Sequence, residues 1–332
     1  MIGVSSYVES DLTPLRDLLV SEDVNEIVIN PDGQIFVEHS GSAHMEPVTD
    51  IEMPEHAIQS VGNNLAGETG NALGTDHPII SGRVIIFEND TRVQVVIPPA
   101  IEAGVSISIR KFASKILKPE DIQFVEGSQV NVDGRRQKEQ KRLLDMAARG
   151  ELTNLLREAI DKKLNILISG GTSSGKTTMA RALLAMTQRE ERIITIEDAV
   201  ELRPTNANAV SLVAERRGDS DRTAAKLLVS SLRMRPDRLI LGEIRGGEAL
   251  NFLEAINTGH PGSISTIHAD SPKLALDRLA LMVMQSGVPL SRQDVIEYAS
   301  ATIDMIIQVG RHNGKRGVLE VSMPGLSQEK RL

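Results

Sequence analysis

The stretch Gly170-Gly171-Thr172-Ser173-Ser174-Gly175-Lys176-Thr177 restricts what this chain can fold into more than any other. It matches the phosphate-loop pattern GxxxxGKT and stands between an apolar run, Asn165–Ser169, and a helical run, Thr178–Met186. The setting matters as much as the letters. Glycines allow a backbone path on which successive amides converge on one anion, and the start of the following helix adds partial positive charge. Phosphate oxygens are therefore expected against Gly170, Gly171, Thr172, Ser173, Ser174, Gly175, Lys176, Thr177 and Thr178. Lys176 is expected to reach the β- and γ-phosphates and the Thr177 hydroxyl to ligate Mg²⁺, which makes ATP and Mg²⁺ the expected cofactors.

A chain of 332 residues exceeds what one core serves efficiently, so two domains are expected. Cysteine is absent, which excludes disulfides, thiolate zinc sites and cysteine nucleophiles and fits a reducing compartment. No apolar run approaches the roughly 18–20 residues that span a bilayer, and Met1–Ser10 lacks the features of a signal peptide. A cytoplasmic location is expected, with any membrane association peripheral. A net charge of −8, scarce aromatics and no Trp count against strong direct nucleic-acid binding, which needs clustered cations and stacking platforms.

Residues 1–110 read as a small α+β domain. Thr13-Pro14 opens a helix, and strands Glu26–Asn30 and Gln34–Glu38 flank the turn Pro31-Asp32-Gly33. Pro54–Ala66 reads as a helix ended by Gly67. Arg83–Phe87 and Arg92–Ile97 are strands about the turn Glu88-Asn89-Asp90, and Val105–Arg110 alternates like a half-buried strand. The pattern weakens over 111–150, where the charge run Arg135–Arg142 reads as a solvated linker or an exposed helix face. Over 151–332 short β-rich runs alternate with helical segments. That pattern implies an α/β fold with a largely parallel sheet flanked by helices. Asn165–Ser169, Arg192–Ile196, Arg238–Leu241 and Ser263–Ile267 are its buried-strand candidates, and ligands bind such sheets at the carboxyl ends of strands.

Hydrolysis also needs carboxylates, and two strand ends supply them. One is Ile196-Glu197-Asp198; in the other, Leu241-Gly242-Glu243-Ile244-Arg245, a glycine stands where many phosphate-loop enzymes carry a metal-binding aspartate. Glu243 is the candidate for polarising the attacking water, and Glu197 the second carboxylate. His260 and His268 bracket a short strand, and His268 at its end could sense the γ-phosphate as a neutral imidazole.

The ordered set of phosphate loop, Ile196–Leu202, Leu232–Asp237, Gly242–Arg245 and Thr258–Ala269 resembles the traffic ATPases of type II and type IV secretion, most closely the type IV, conjugation-associated branch. The missing cysteine module of many type II relatives points the same way. The resemblance implies a two-domain subunit, an α+β domain followed by a RecA-like P-loop domain, in a homohexameric ring at the cytoplasmic face of the inner membrane, with secretion-apparatus proteins as partners. It also implies that arginines of the first domain reach the terminal phosphates, and Arg92 and Arg110 match those positions. A catalytic part for His268 follows from it as well. Pilus assembly or retraction and type II secretion share these motifs. A nucleic-acid translocase or helicase is a more distant alternative, and a nucleotide-gated module without turnover is the non-enzymatic one.

Overall fold

The computed structural model describes residues 6–112, 118–216 and 220–327. In chain order the elements are α1 (Tyr7–Asp11), α2 (Arg16–Val20), β1 (Val24–Ile29), β2 (Ile35–His39), β3 (Glu46–Val48), α3 (Glu55–Glu68), β4 (Ile79–Ile86), β5 (Asn89–Val96) and β6 (Ser106–Lys111). There follow α4 (Val132–Ala148), α5 (Leu152–Asp161), β7 (Ile166–Ser169), α6 (Lys176–Leu184), β8 (Ile193–Glu197), β9 (Ala209–Val213), α7 (Ala224–Ser231) and β10 (Arg238–Leu241). The chain ends with α8 (Glu248–Asn257), β11 (Ile264–Ile267), α9 (Pro272–Gln285), α10 (Arg292–Thr302), β12 (Met305–His312) and β13 (Lys315–Ser322). By compactness it forms two units, Met1–Phe112 with Gln188–Gly242, and Ala113–Thr187 with Glu243–Leu332.

The first unit holds an antiparallel sheet in the order β3-β2-β1-β6-β5-β4. Side chains alternate across its faces. Ile27 and Ile29 join Leu15, Leu19, Val61, Leu65, Val93 and Ile107 in one core, while Val28 turns the other way onto Phe36 and Met45. Burying each such Leu or Ile stabilises the unit by about 2 kcal/mol relative to exposure.

The hairpin between β1 and β2 forms as read. Gly33 takes φ 84°, and Asp32 Oδ1 accepts from the Gln34 amide at 3.1 Å. The turn between β4 and β5 falls earlier than the sequence reading placed it. Asn89 and Asp90 are strand residues paired with Ile86 and Ile85, and the turn is Phe87-Glu88, both at positive φ. Two positive φ values match the twist of the strands, and the Glu9 carboxylate holds the turn by accepting from the Phe87 amide at 2.7 Å. Helix α3 runs through Gly67 to Glu68; the left-handed stop is Gly70, whose amide returns to the Gly67 carbonyl. A further helix, α1, precedes the Thr13-Pro14 start, capped by Ser6, and Thr13–Leu15 is a 3-10 turn leading into α2.

This unit also contains β9, β8 and β10 in that order, both pairs parallel. In the second unit the order is β13-β12-β7-β11, with β7 parallel to both neighbours and β12–β13 an antiparallel hairpin turned by Asn313-Gly314. The carboxy-terminal half is thus α/β with a mixed, mostly parallel set of strands. β7, β8, β10 and β11 are buried along their whole length, as strands covered on both faces are. The charge run 135–142 lies on a 17-residue helix, α4, whose N-cap Asn131 accepts from the Gly134 amide. Most of the run faces water. The helix docks through buried Leu143 and Met146 and through Arg136 and Gln140, which both donate to the Asp304 carboxylate, at 2.6 and 3.1 Å.

Candidate nucleotide site

Strand β7 ends at Ser169 and α6 begins at Lys176, so the phosphate loop spans one strand-to-helix connection. Its path needs glycine. A Cβ on Gly170 would lie 2.4 Å from Ser174 Oγ and 2.6 Å from the Val309 carbonyl oxygen, and Gly175 sits in the left-handed region at φ 101°. Ser173 also takes positive φ, 58°, which a non-glycine residue adopts at a cost. Gly175 caps α6 without a side chain, so the first-turn amides of the helix receive no capping oxygen from it. Ser174 is buried, and its hydroxyl has no hydrogen-bond partner among the described residues. Free helix-start amides and an orphaned buried hydroxyl suit a multiply charged oxyanion such as a phosphate tail.

Beside the loop, four charged or titratable side chains of the same unit form a chain. Lys176 Nζ donates to the Gly170 and Gly171 carbonyls at 3.0 and 3.1 Å and lies 3.2 Å from His268 Nδ1. His268 Nε2 is 3.0 Å from Glu243 Oε1, and Arg245 pairs with Glu243 Oε2. An ammonium only donates, so His268 accepts at Nδ1 and carries its proton on Nε2, which donates to Glu243. Burial, followed by the Lys176 charge, lowers the His268 pKa below the ordinary imidazole range, which favours the neutral ring that this arrangement requires. Burial also lowers Lys176, against the attraction of Glu243. The loop bearing Glu243 is held from both sides: the Ile244 amide bonds the Thr266 carbonyl, and Glu248 accepts from the amides of Arg245 and Gly246. His260 is committed elsewhere, its Nδ1 3.2 Å from the Ala255 carbonyl oxygen at the end of α8.

The other sequence candidates belong to the first unit. Glu197 ends β8 and accepts from the amides of Leu202 and Glu201, at 3.1 and 3.2 Å. Burial raises its pKa. Its side chain also accounts for Gly242, because a Cβ there would come 3.0 Å from Glu197 Cγ and leaves little room for an aspartate. Arg92 and Arg110 are exposed and stand directly opposite each other on β5 and β6. Lys176, Glu243 and His268 are therefore brought together in one unit, and Arg92 and Arg110 in the other. Two further residues join these groups in the fold: Arg245, two positions from Glu243 and foreshadowed only by that proximity, and Phe112, whose ring lies against Arg92 and which no sequence motif marks.

The chain is similar to known proteins over most of its length. The family model "Type II/IV secretion system protein" matches residues 132–313. The type IV secretion system protein VirB11 of Bartonella henselae is 33% identical over 334 residues, covering 95% of this chain and 92% of that protein. A probable conjugal transfer protein TrbB of Sinorhizobium fredii is 34% identical over 310 residues, covering 91% and 84%. The crystal structure of the VirB11 ATPase from the Brucella suis type IV secretion system, in complex with sulphate, superposes with a TM-score of 0.83 at 31% identity, covering 96% of this chain and 97% of that one. With a phosphate loop, its flanking elements and a full-length likeness of this kind, the chain belongs to the type II/IV secretion system protein family.

Proposed function

We propose that this chain is an ATPase that energises type IV secretion, moving DNA or protein substrates or assembling a pilus. The linked side chains of Lys176, His268 and Glu243 beside the glycine turn carry the reading. Lys176 and the first-turn amides of α6 hold the triphosphate; Thr177, together with phosphate oxygens, would hold Mg²⁺, which would supply charge neutralisation at the phosphates. Glu243 draws a proton from water as it attacks the γ-phosphorus, giving ADP and phosphate. His268 sits between base and ammonium, where loss of the γ-phosphate would change its hydrogen bonds. Glu197 serves as the second carboxylate.

Residues 1–110 supply Arg92 and Arg110 to the terminal phosphates, 111–150 act as linker, and 151–332 carry the hydrolytic machinery of a homohexamer working with inner-membrane secretion proteins. Among the described residues no helix is long and apolar enough to cross a membrane, so the docking we propose is peripheral. Magnesium-dependent nucleotide affinity, compared with Lys176→Ala, tests the reading. Loss of a charge-assisted contact should weaken binding roughly 10- to 100-fold; undiminished affinity in the variant overturns it.

A further inference from the structure

Three arginines stand side by side on the antiparallel sheet of the first unit: Arg83 opposite Arg92, and Arg92 opposite Arg110. Like charges directly opposed on neighbouring strands repel, and the structure treats each differently. Arg83 is bound by both carboxylate oxygens of Asp90. Arg110 stands opposite the carboxyl of Glu26 on β1. Arg92, in the middle, has no carboxylate partner among the described residues. Its guanidinium carbon lies instead 5.7 Å from the centre of the Phe112 ring, with that of Arg83 at 5.8 Å.

Phe112 is placed for this contact and for little else. Its amide donates to the Asp90 carbonyl at 3.1 Å, it lies outside the core cluster of the unit, and the residue is 47% exposed. A carboxylate partner would engage the N–H edge of Arg92 and cancel its charge. A ring attracts the cation through its quadrupole while leaving the in-plane donors and the charge available to an anion. Asp90 meanwhile ties down Arg83, the other cation on the same ring.

We infer that Phe112 is a positioning residue for Arg92, an aromatic platform that fixes the guanidinium without neutralising it and so leaves it able to meet the terminal phosphate. This rests on the proposal that Arg92 meets that phosphate. In the full chain, Phe112→Leu lowers kcat for ATP about threefold and leaves KM unchanged, the size of an exposed cation–π contact. Phe112→Tyr and Phe112→Trp restore it, because they return a ring face and leucine returns only apolarity. In an Arg92→Ala background, Phe112→Leu has no further effect. Full turnover by Arg92→Ala removes the phosphate role of Arg92 and this inference with it. Loss in Arg92→Ala but full turnover in Phe112→Leu leaves the arginine role standing and overturns Phe112 alone. An equal fall on both backgrounds, or failure of the aromatic variants to restore kcat, makes Phe112 structural and overturns the inference too.

Discussion

Two charged clusters, one in each compact unit, use the same side-chain types for opposite ends. In the first unit Arg238 and Glu191 are 1% and 0% exposed and form a two-point pair, at 2.6 and 3.0 Å. Arg192, equally buried, donates to the Met234 carbonyl, Asn30 and Asn208, and burial pulls it down to about 10. In the second unit Lys176, His268, Glu243 and Arg245 form a chain that starts at buried Lys176 and ends at half-exposed Arg245. A charge whose partners all lie inside the fold can only hold that fold together. A chain of charges with one wet end can pass a proton or meet an anion. Burial alone therefore does not mark function; what separates the clusters is that the partners of the first are all buried with it, whereas the second ends on a half-exposed guanidinium.

Breaking the buried pair should have the largest effect. Arg238→Ala takes the two-point ion pair from buried Glu191 and should cost about 3–5 kcal/mol of stability, read from denaturant melts. A loss below about 1 kcal/mol would mean that the buried cluster is no more structural than the open one. Next, Glu243→Gln should cut steady-state phosphate release roughly 100-fold or more while leaving the melt in place. Glu197→Gln, whose native carboxylate is engaged by backbone amides, should cost less turnover than Glu243→Gln. Equal rates for wild type and Glu243→Gln would remove Glu243 from catalysis.

The smallest expected effect is pH-dependent and belongs to the first unit. Burial, opposed chiefly by Arg110, pushes the Glu26 carboxyl up to about 7. The folded state then holds this proton more tightly than the unfolded chain does. The associated stability is fully present below the ordinary glutamate range and is lost as pH rises through about 7. Relative to Glu26→Gln, wild type should lose about 2 kcal/mol between about pH 5.5 and 8. A constant difference between the two proteins across that range would show that Glu26 does not titrate there.

Much of the fold was legible because its signals are local. Glycine in the turn at Gly33 and the phosphate loop at Gly170–Thr177 were read from neighbouring residues alone, as were β7, β8, β10 and β11 from their apolar runs. The hairpin of β12 and β13 carries a local signal of the same kind, the turn pair Asn313-Gly314. α4 was harder to see: it buries few apolar residues, and its docking relies on Asp304, far away in sequence. Glu243 and His268 were each visible at strand ends. Their hydrogen bond was not, because it joins separate strand-end loops.

The order of residues by itself determined where the backbone could turn, which runs would be buried strands, and that an anion-binding loop would follow β7, since those depend on φ preferences and on periodicity within a few residues. Only the tertiary structure decided which charges are neutralised. Arg83, Arg92 and Arg238 are alike as letters, yet one meets Asp90, one a ring and one Glu191. The energy of a charge depends on the solvent and partners that packing brings to it, and those come from elsewhere in the chain.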